Sequence, residues 1–227
     1  MNSKSKTEAL RIIHNCALLY RENLAHKNVL FVTLCDRNAD YFEAAFLPRN
    51  YLHLTGVRTD LRSTDFYYSA VRDRLNENDF RFSGDGTTDK KLAVLPSLMK
   101  IYLTARMVGD YDYSKSLLVT DKIACTITAA MGFKKNGDSD LYVPNTALNT
   151  DMREITKNPV RRVAATFIKD KQNDKYRELT YIAKGLTIDD SVLTPVFHDK
   201  VDTLNVSASF PIPRLPILIV DNSEMEG

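Results

Sequence analysis

The chain has few of the groups that build disulfide frameworks, metal sites or membrane anchors. It holds three cysteines, Cys16, Cys35 and Cys125, and none is spaced as Cys-x-x-Cys. An odd count without that spacing excludes both a disulfide scaffold and a zinc ribbon. The four histidines, His14, His26, His53 and His198, are scattered along the chain, so no metal and no cofactor is expected. No run is long and apolar enough to cross a bilayer. The opening MNSKSKTEAL lacks the apolar stretch of a signal peptide. The reading is a cytoplasmic protein in a reducing compartment, without membrane contact. An excess of one charge sign is also missing: 31 Lys and Arg face 29 Asp and Glu, for a net charge of +2. Nucleic-acid binding would therefore rest on a local basic stripe. There is no G-x-x-x-x-G-K-[ST], no G-x-S-x-G, no H-E-x-x-H and no acidic cluster spaced as in two-metal nucleases. Internal repeats and low-complexity segments are absent too.

What is present suits one globular unit. A length of 227 residues with 44% hydrophobic content supports one large domain, or a domain with an appendage. Helical periodicity runs from about Lys6 to Ala25, with Leu10, Ile13, Ala17 and Leu18 on the buried side. Val29 to Cys35 is β-rich, Asp36 to Asp40 is a turn, and Tyr41 to Phe46 returns as a strand. Pro48 ends that strand, and Tyr51 to Val57 reads as a third. Ser63, Thr64 or Asp65 caps a helix carrying Phe66, Tyr67, Ala70 and Leu75. After the loop Ser83 to Thr88, a second helix places Leu92, Leu95, Met99 and Leu103 at core spacing. Pro96 should kink or restart it, and Gly109 should end it. From Leu117 the pattern alternates: Leu117 to Thr120, Ile123 to Lys134, Leu141 to Val143, Arg162 to Lys169 and Glu178 to Lys184. Asn136-Gly137-Asp138 marks a hairpin. Helices followed by an antiparallel meander indicate α+β. Three segments result: residues 1–46 as N-terminal helix and hairpin, 47–185 as core domain, and 186–227 as a Pro-punctuated extension that packs on the core or on a partner.

Four segments are candidates for chemistry. In a strand, Tyr51, His53 and Thr55 would share one face beside Gly56, an arrangement suited to proton transfer near neutral pH. A histidine hydrogen-bonded inside the fold is the plain alternative. Along Lys122 to Lys134, the residues Lys122, Ala124, Thr126, Thr128, Ala130 and Gly132 would form a small hydroxylated floor. Lys122 at its edge would neutralise a phosphate, unless that face is small only so that a helix can sit on it. Asn145 and Thr146, followed by Arg153, sit after a strand where a site is often lined, or where a turn is simply capped. Arg153, Lys157, Arg161, Arg162, Lys169, Lys171, Lys175, Arg177 and Lys184 form a basic stripe. Tyr176 and Tyr181 are interleaved for stacking on bases, though charged strands are commonly just solvated.

In order and spacing, the runs YLHLTGV, DFYYSAVRDRL, NDFRF, DKKLAVLPSLMKI, MVGDY, TDKIACTITAAMGF, YVPNTAL, DMR and ELTYIAKG resemble the phage-encoded Barnase–EndoU–colicin–RelE-like nucleases, fourth subtype. The resemblance covers about Leu47 to Gly185. It implies helices followed by a curved antiparallel sheet, with a C-terminal extension outside the match. It also implies a metal-independent ribonuclease of a phage or mobile element, in which the RNA 2′-hydroxyl attacks its own phosphate. The substrate would be tRNA or mRNA in host–phage conflict. His53, Lys122, Arg153, Thr55 and Tyr181 would then act in catalysis. Tyr51, Thr126, Thr128, Asn145, Thr146, Arg162 and Lys184 would bind substrate. Two further readings stay open. One is a catalytically inactive nuclease fold that binds a host or phage protein through the extension. The other is an NAD-using ADP-ribosyltransferase, in which His53 and a hydroxyl at i+2 would hold the nicotinamide ribose.

Overall fold

The run Val29-Leu30-Phe31-Val32 has no polar residue to turn toward water, and both of its faces are buried. It lies in strand β1, Lys27–Cys35, in a computed structural model that describes residues 5–114, 120–126, 129–137, 139–157 and 159–208. A continuous apolar strand belongs between two layers. Val29 and Phe31 face a core shared with helix α1, Lys6–Asn23; Leu30 and Val32 face a second cluster on the opposite side. The helix presents Ala9, Ile13, Cys16, Ala17 and Tyr20 at three- and four-residue spacing, and the Ser5 hydroxyl caps it by accepting from Glu8 N–H. Strand β2, Asn38–Phe46, pairs with β1 around Asp36 and Arg37. Asp36 adopts a φ of 53°, the left-handed conformation that a tight hairpin needs. The turn is thus narrower than the expected 36–40, and Asn38 to Asp40 belong to the strand.

The next expected strand is a helix. Pro48–Asn50 forms a 3₁₀ turn, and α2 follows over Tyr51–Thr55. Proline's fixed φ and missing N–H suit the first position of a helical turn, so Pro48 starts this element as well as ending β2. Tyr51, Leu54 and Thr55 are buried at i, i+3 and i+4, and Gly56 ends the helix at a φ of 71°. Five residues of mixed polarity fit either period. Helix α3, Ser63–Val71, starts after Arg62 with no side-chain cap, so none of Ser63, Thr64 or Asp65 caps it. Helix α4, Thr87–Leu98, contains Pro96 and restarts as α5, Ile101–Thr104. Gly109 is a strand residue: a Cβ there would stand 2.8 Å from Thr156 Cγ2.

The remaining strands are β3 (Met107–Asp110), β4 (Lys122–Cys125), β5 (Ala130–Lys135), β6 (Tyr142–Leu148), β7 (Arg161–Asp170), β8 (Glu178–Ile182) and β9 (Ser207–Ala208). The expected strand Ile123 to Lys134 is therefore a hairpin. The chain reverses where Thr126 N–H donates to Ala129 O and Ala129 N–H donates to the Thr126 hydroxyl. That reversal removes the single hydroxylated floor. Residues 115–119, most of another expected strand, lie outside the described residues, as does Asp138 of the expected hairpin turn.

Among the described residues the strands join one sheet in the order β1-β2-β6-β5-β4-β3-β7-β8-β9. Strand β7 also pairs with β1, from Lys27 opposite Asp170 to Leu34 opposite Arg162. The sheet therefore curls until β1 to β7 form a ring, closed between β2 and β6 by one pair, Ala44 and Tyr142. Apart from the parallel β2–β6 and β8–β9 contacts, its pairings are antiparallel. The fold is α+β, with helices α1 to α4 on the larger core and the segment after residue 186 on the other face. The first hairpin lies within the sheet and the same core as α2 to α4.

Residues of the extension insert into that second face. Leu193, Phe197 (in α6, Thr194–Phe197) and Val201 pack on Leu30, Val32 and Phe167. At its centre is Glu43, 8% exposed, which accepts hydrogen bonds from Tyr176 Oη at 2.7 Å, Lys200 Nζ at 3.0 Å and Asn28 Nδ2 at 3.2 Å. Burial pushes this carboxyl up, but the hydrogen bonds from Tyr176, Lys200 and Asn28 and the charge of Lys200 outweigh it, and the pKa is lowered. A lowered carboxylate stabilises the fold above its ordinary value of 4.5, and that contribution is lost as the pH falls through the folded value. Glu43→Gln should lower unfolding free energy by about 2 kcal/mol at pH 7. Urea titrations should show the gap to wild type closing at pH 3; a gap independent of pH would mean that the charge is not what matters.

Candidate functional site

One buried tyrosine sets the orientation of α2. The Tyr51 hydroxyl donates to the Ile13 carbonyl of α1 at 2.6 Å, and its ring lies 5.3 Å from that of Tyr20 and 5.6 Å from that of Tyr67. Thr55, fully buried, donates to the Leu52 carbonyl at 2.8 Å. With Tyr51, Leu54 and Thr55 facing in, the turn carries Arg49 and His53 outward, one helical turn apart. Tyr51 and Thr55 therefore do not share a face with His53, because the helical period replaces the alternation that grouped them. The nicotinamide reading loses its basis for the same reason: the hydroxyl at i+2 is in the core.

His53 opens onto a cleft of about 350 Å³ between this helical stretch, the start of α3 and the end of the β5–β6 hairpin. Arg49, Asn50, His53, Ser63, Lys134, Lys135, Asn136, Gly137 and Val143 line it. Three of these are cations and none is a carboxylate. Lys135 is 3.6 Å from Asp140, whereas Arg49 and Lys134 have no ion-pair partner among the described residues. Unneutralised cations in a concave site favour a bound anion. The His53 pKa is lowered, first by partial burial of its ring and then by the charges of Lys134 and Lys91, which favours the neutral imidazole. Lys91 supports the helix from below: its ammonium donates to the His53 carbonyl at 2.8 Å, and its stem crosses Gly56, where a Cβ would meet Lys91 Cδ at 2.7 Å. Burial pushes Lys91 down to about 8.

Asn50 is the odd group in this cleft. It occupies the N-cap position of α2, where asparagine ordinarily accepts from a free helix N–H. Because the 3₁₀ turn precedes it, its backbone is already helical (φ −79°, ψ −19°), and its side chain makes no capping bond. The residue is 4% exposed and its Oδ1 has no partner among the described residues. A buried acceptor without a donor costs about 1–3 kcal/mol.

The other sequence candidates lie outside this cleft. Lys122 pairs with Asp110 at 2.5 Å across β3 and β4. Arg153 is clamped by both carboxylate oxygens of Asp151. Tyr181 lies under the Arg106 guanidinium at 4.1 Å. Thr126 is used in the β4–β5 turn, and Thr146 is buried. Asn145 is the extra residue where the β5–β6 register shifts, and it accepts from the Thr120 hydroxyl at 2.8 Å. It lies inside β6, not after a strand. Arg162 and Lys184 are exposed elsewhere. Thr128 lies outside the described residues. Part of the basic stripe converges on a second cleft of about 340 Å³, lined by Lys27, Lys169, Lys175 and Arg177 with Asp170 and Glu178. Arg177 there is bound to Asp202, and Lys169 to the Asp174 carbonyl.

Sequence reasoning passes over Arg49, Asn50, Lys91, Lys134 and Lys135. Arg49, Asn50 and His53 stand at i, i+1 and i+4, a spacing legible once α2 is read as a helix. Lys134 and Lys135 reach the cleft only through the tertiary fold. Among the described residues no three His, Cys, Asp or Glu side chains gather where they could hold a metal ion. No described helix is long and apolar enough to cross a membrane. Tyr51→Phe keeps the ring and removes one buried bond. It should cost about 1–2 kcal/mol in chemical denaturation, whereas His53→Ala, on an exposed position, should stay within about 0.5 kcal/mol of wild type.

No curated protein and no solved structure matches the chain. A family model described as phage-Barnase-EndoU-ColicinE5/D-RelE like nuclease4 matches residues 12–185, a span that runs from α1 through β8 and includes every residue lining the His53 cleft. The chain belongs to this family of nuclease-like proteins.

Proposed function

We propose that the protein is a metal-independent endoribonuclease whose site is the His53 cleft. The observation that carries this reading is His53 set among Arg49, Lys134 and Lys135 in a cleft that no carboxylate lines. A ribonuclease of this type needs a base for the 2′-hydroxyl and positive charge for the phosphorane. His53 accepts the 2′-hydroxyl proton on a ring nitrogen. The 2′-oxygen then attacks phosphorus, and the 5′-oxygen leaves, taking a proton from solvent. A 2′,3′-cyclic phosphate remains. Arg49 and Lys134 neutralise the phosphate. Lys91 holds the His53 carbonyl, and its charge adds to burial and Lys134 in disfavouring the imidazolium. The word phage in the family's description supports a role in host–phage conflict; tRNA or mRNA is the substrate we propose for it. The reading as an inactive partner-binding fold is less favoured, because Leu193, Phe197 and Val201 of the extension are already used against the sheet.

The purified protein should cleave RNA in EDTA and leave cyclic phosphate ends. His53→Ala should slow cleavage by about 10²–10⁴-fold; cleavage at the wild-type rate would remove His53 from the mechanism. The rate should rise with pH and level off through a midpoint below 6.5, the ordinary histidine value. Lys134→Gln should move that midpoint upward, since one of the charges that disfavour the imidazolium is gone.

A further inference from the structure

Three described side-chain atoms are buried without a hydrogen-bond partner: Asn28 Oδ1, Asn50 Oδ1 and Thr166 Oγ1. Asn28 spends its amide nitrogen on Glu43, and Thr166 sits within β7, paired on both edges. Asn50 alone among them lines the cleft that holds His53. Its carboxamide oxygen has no partner among the described residues and its side chain makes no capping bond, although the local sequence offers it the ordinary task of capping α2. A buried acceptor without a donor calls for an explanation, and a bound partner from outside the chain is one. Arg49 and Lys134 line the same cleft and favour an anion, so a phosphorylated molecule that carries a hydrogen-bond donor would match both features.

We propose that Asn50 is the ligand-reading residue of the cleft, its carboxamide oxygen accepting a hydrogen bond from a nucleotide whose phosphate lies against Arg49 and Lys134. The donor is the ribose 2′-hydroxyl or an N–H of the base. The proposal deepens the nuclease reading by naming what recognises the nucleotide, and it separates binding from cleavage. A carboxamide that waits for ligand contributes little to the stability of the free protein, which distinguishes it from a structural asparagine.

The test uses molecules that such a nuclease does not cleave further: adenosine 3′-monophosphate, 2′-deoxyadenosine 3′-monophosphate and uridine 3′-monophosphate, titrated calorimetrically into wild type and Asn50→Ala. The wild type should bind adenosine 3′-monophosphate about tenfold more tightly than the variant does. If the 2′-hydroxyl is the donor, the deoxy compound binds wild type as weakly as adenosine 3′-monophosphate binds the variant. If a base N–H is the donor, the deoxy compound keeps its affinity and the preference between adenine and uracil changes in the variant. Without ligand, Asn50→Ala should melt within about 2 °C of wild type or above it. Equal binding by wild type and variant, no binding of any of the three to wild type, or a variant melting well below wild type would each overturn the assignment. Nucleotide binding that depends on Asn50 in a protein that does not cleave RNA would instead overturn the nuclease reading and leave this one standing.

Discussion

The hydrogen bond from the Tyr51 hydroxyl to the Ile13 carbonyl connects the first helix to the element that carries the site. A phenol buried among Tyr20 and Tyr67 must find an acceptor, and a backbone carbonyl of α1 is the one supplied. Once that ring is inside, the geometry of a short helix leaves no choice about the rest. Leu54 and Thr55 follow it into the core, and Arg49 and His53 emerge one turn apart on the opposite side. The exposed histidine is thus a consequence of a core contact that spans thirty-eight positions of sequence, from Tyr51 to Ile13. Lys91 secures the same helix from its other end.

The sheet supplies the opposite wall, and its curl is what brings that wall close. β1 is apolar on both faces, so it needs helices on one side and the chain after residue 186 on the other. Glu43 keeps that second side specific. A carboxylate with three donors around it tolerates burial; the same carboxylate with fewer would not. Electrostatics therefore divides the molecule. Its buried acid is matched donor by donor at the sheet, whereas two cations at the cleft remain unmatched among the described residues.

Much of this architecture was readable from residues, and the failures have physical causes. α1 stands out because its apolar residues keep one period for five turns, and β1 because four consecutive apolar side chains fit only a strand covered twice. Tyr51 to Thr55 is too short for the period to decide, and the one sign against a strand is Pro48, which starts a turn. The reversal at Thr126 uses a hydroxyl and lacks the glycine or proline that announces most turns. His53 stands out in the sequence for an alternation it does not have. Lys134 was invisible as a partner because its approach depends on β6 lying beside α2.

The pairing of β7 with β1 also has a temporal side. Lys27 meets Asp170, so a strand made early stays without one neighbour until on the order of 140 further residues have left the ribosome. Every residue lining the His53 cleft is synthesised before then. The scaffold that holds them in place is completed only by this late strand, and contacts so distant in sequence form slowly. A nascent chain therefore carries the parts of the cleft well before the ring behind them can close, and a chain broken off before residue 161 lacks the strand that joins β1 to β3.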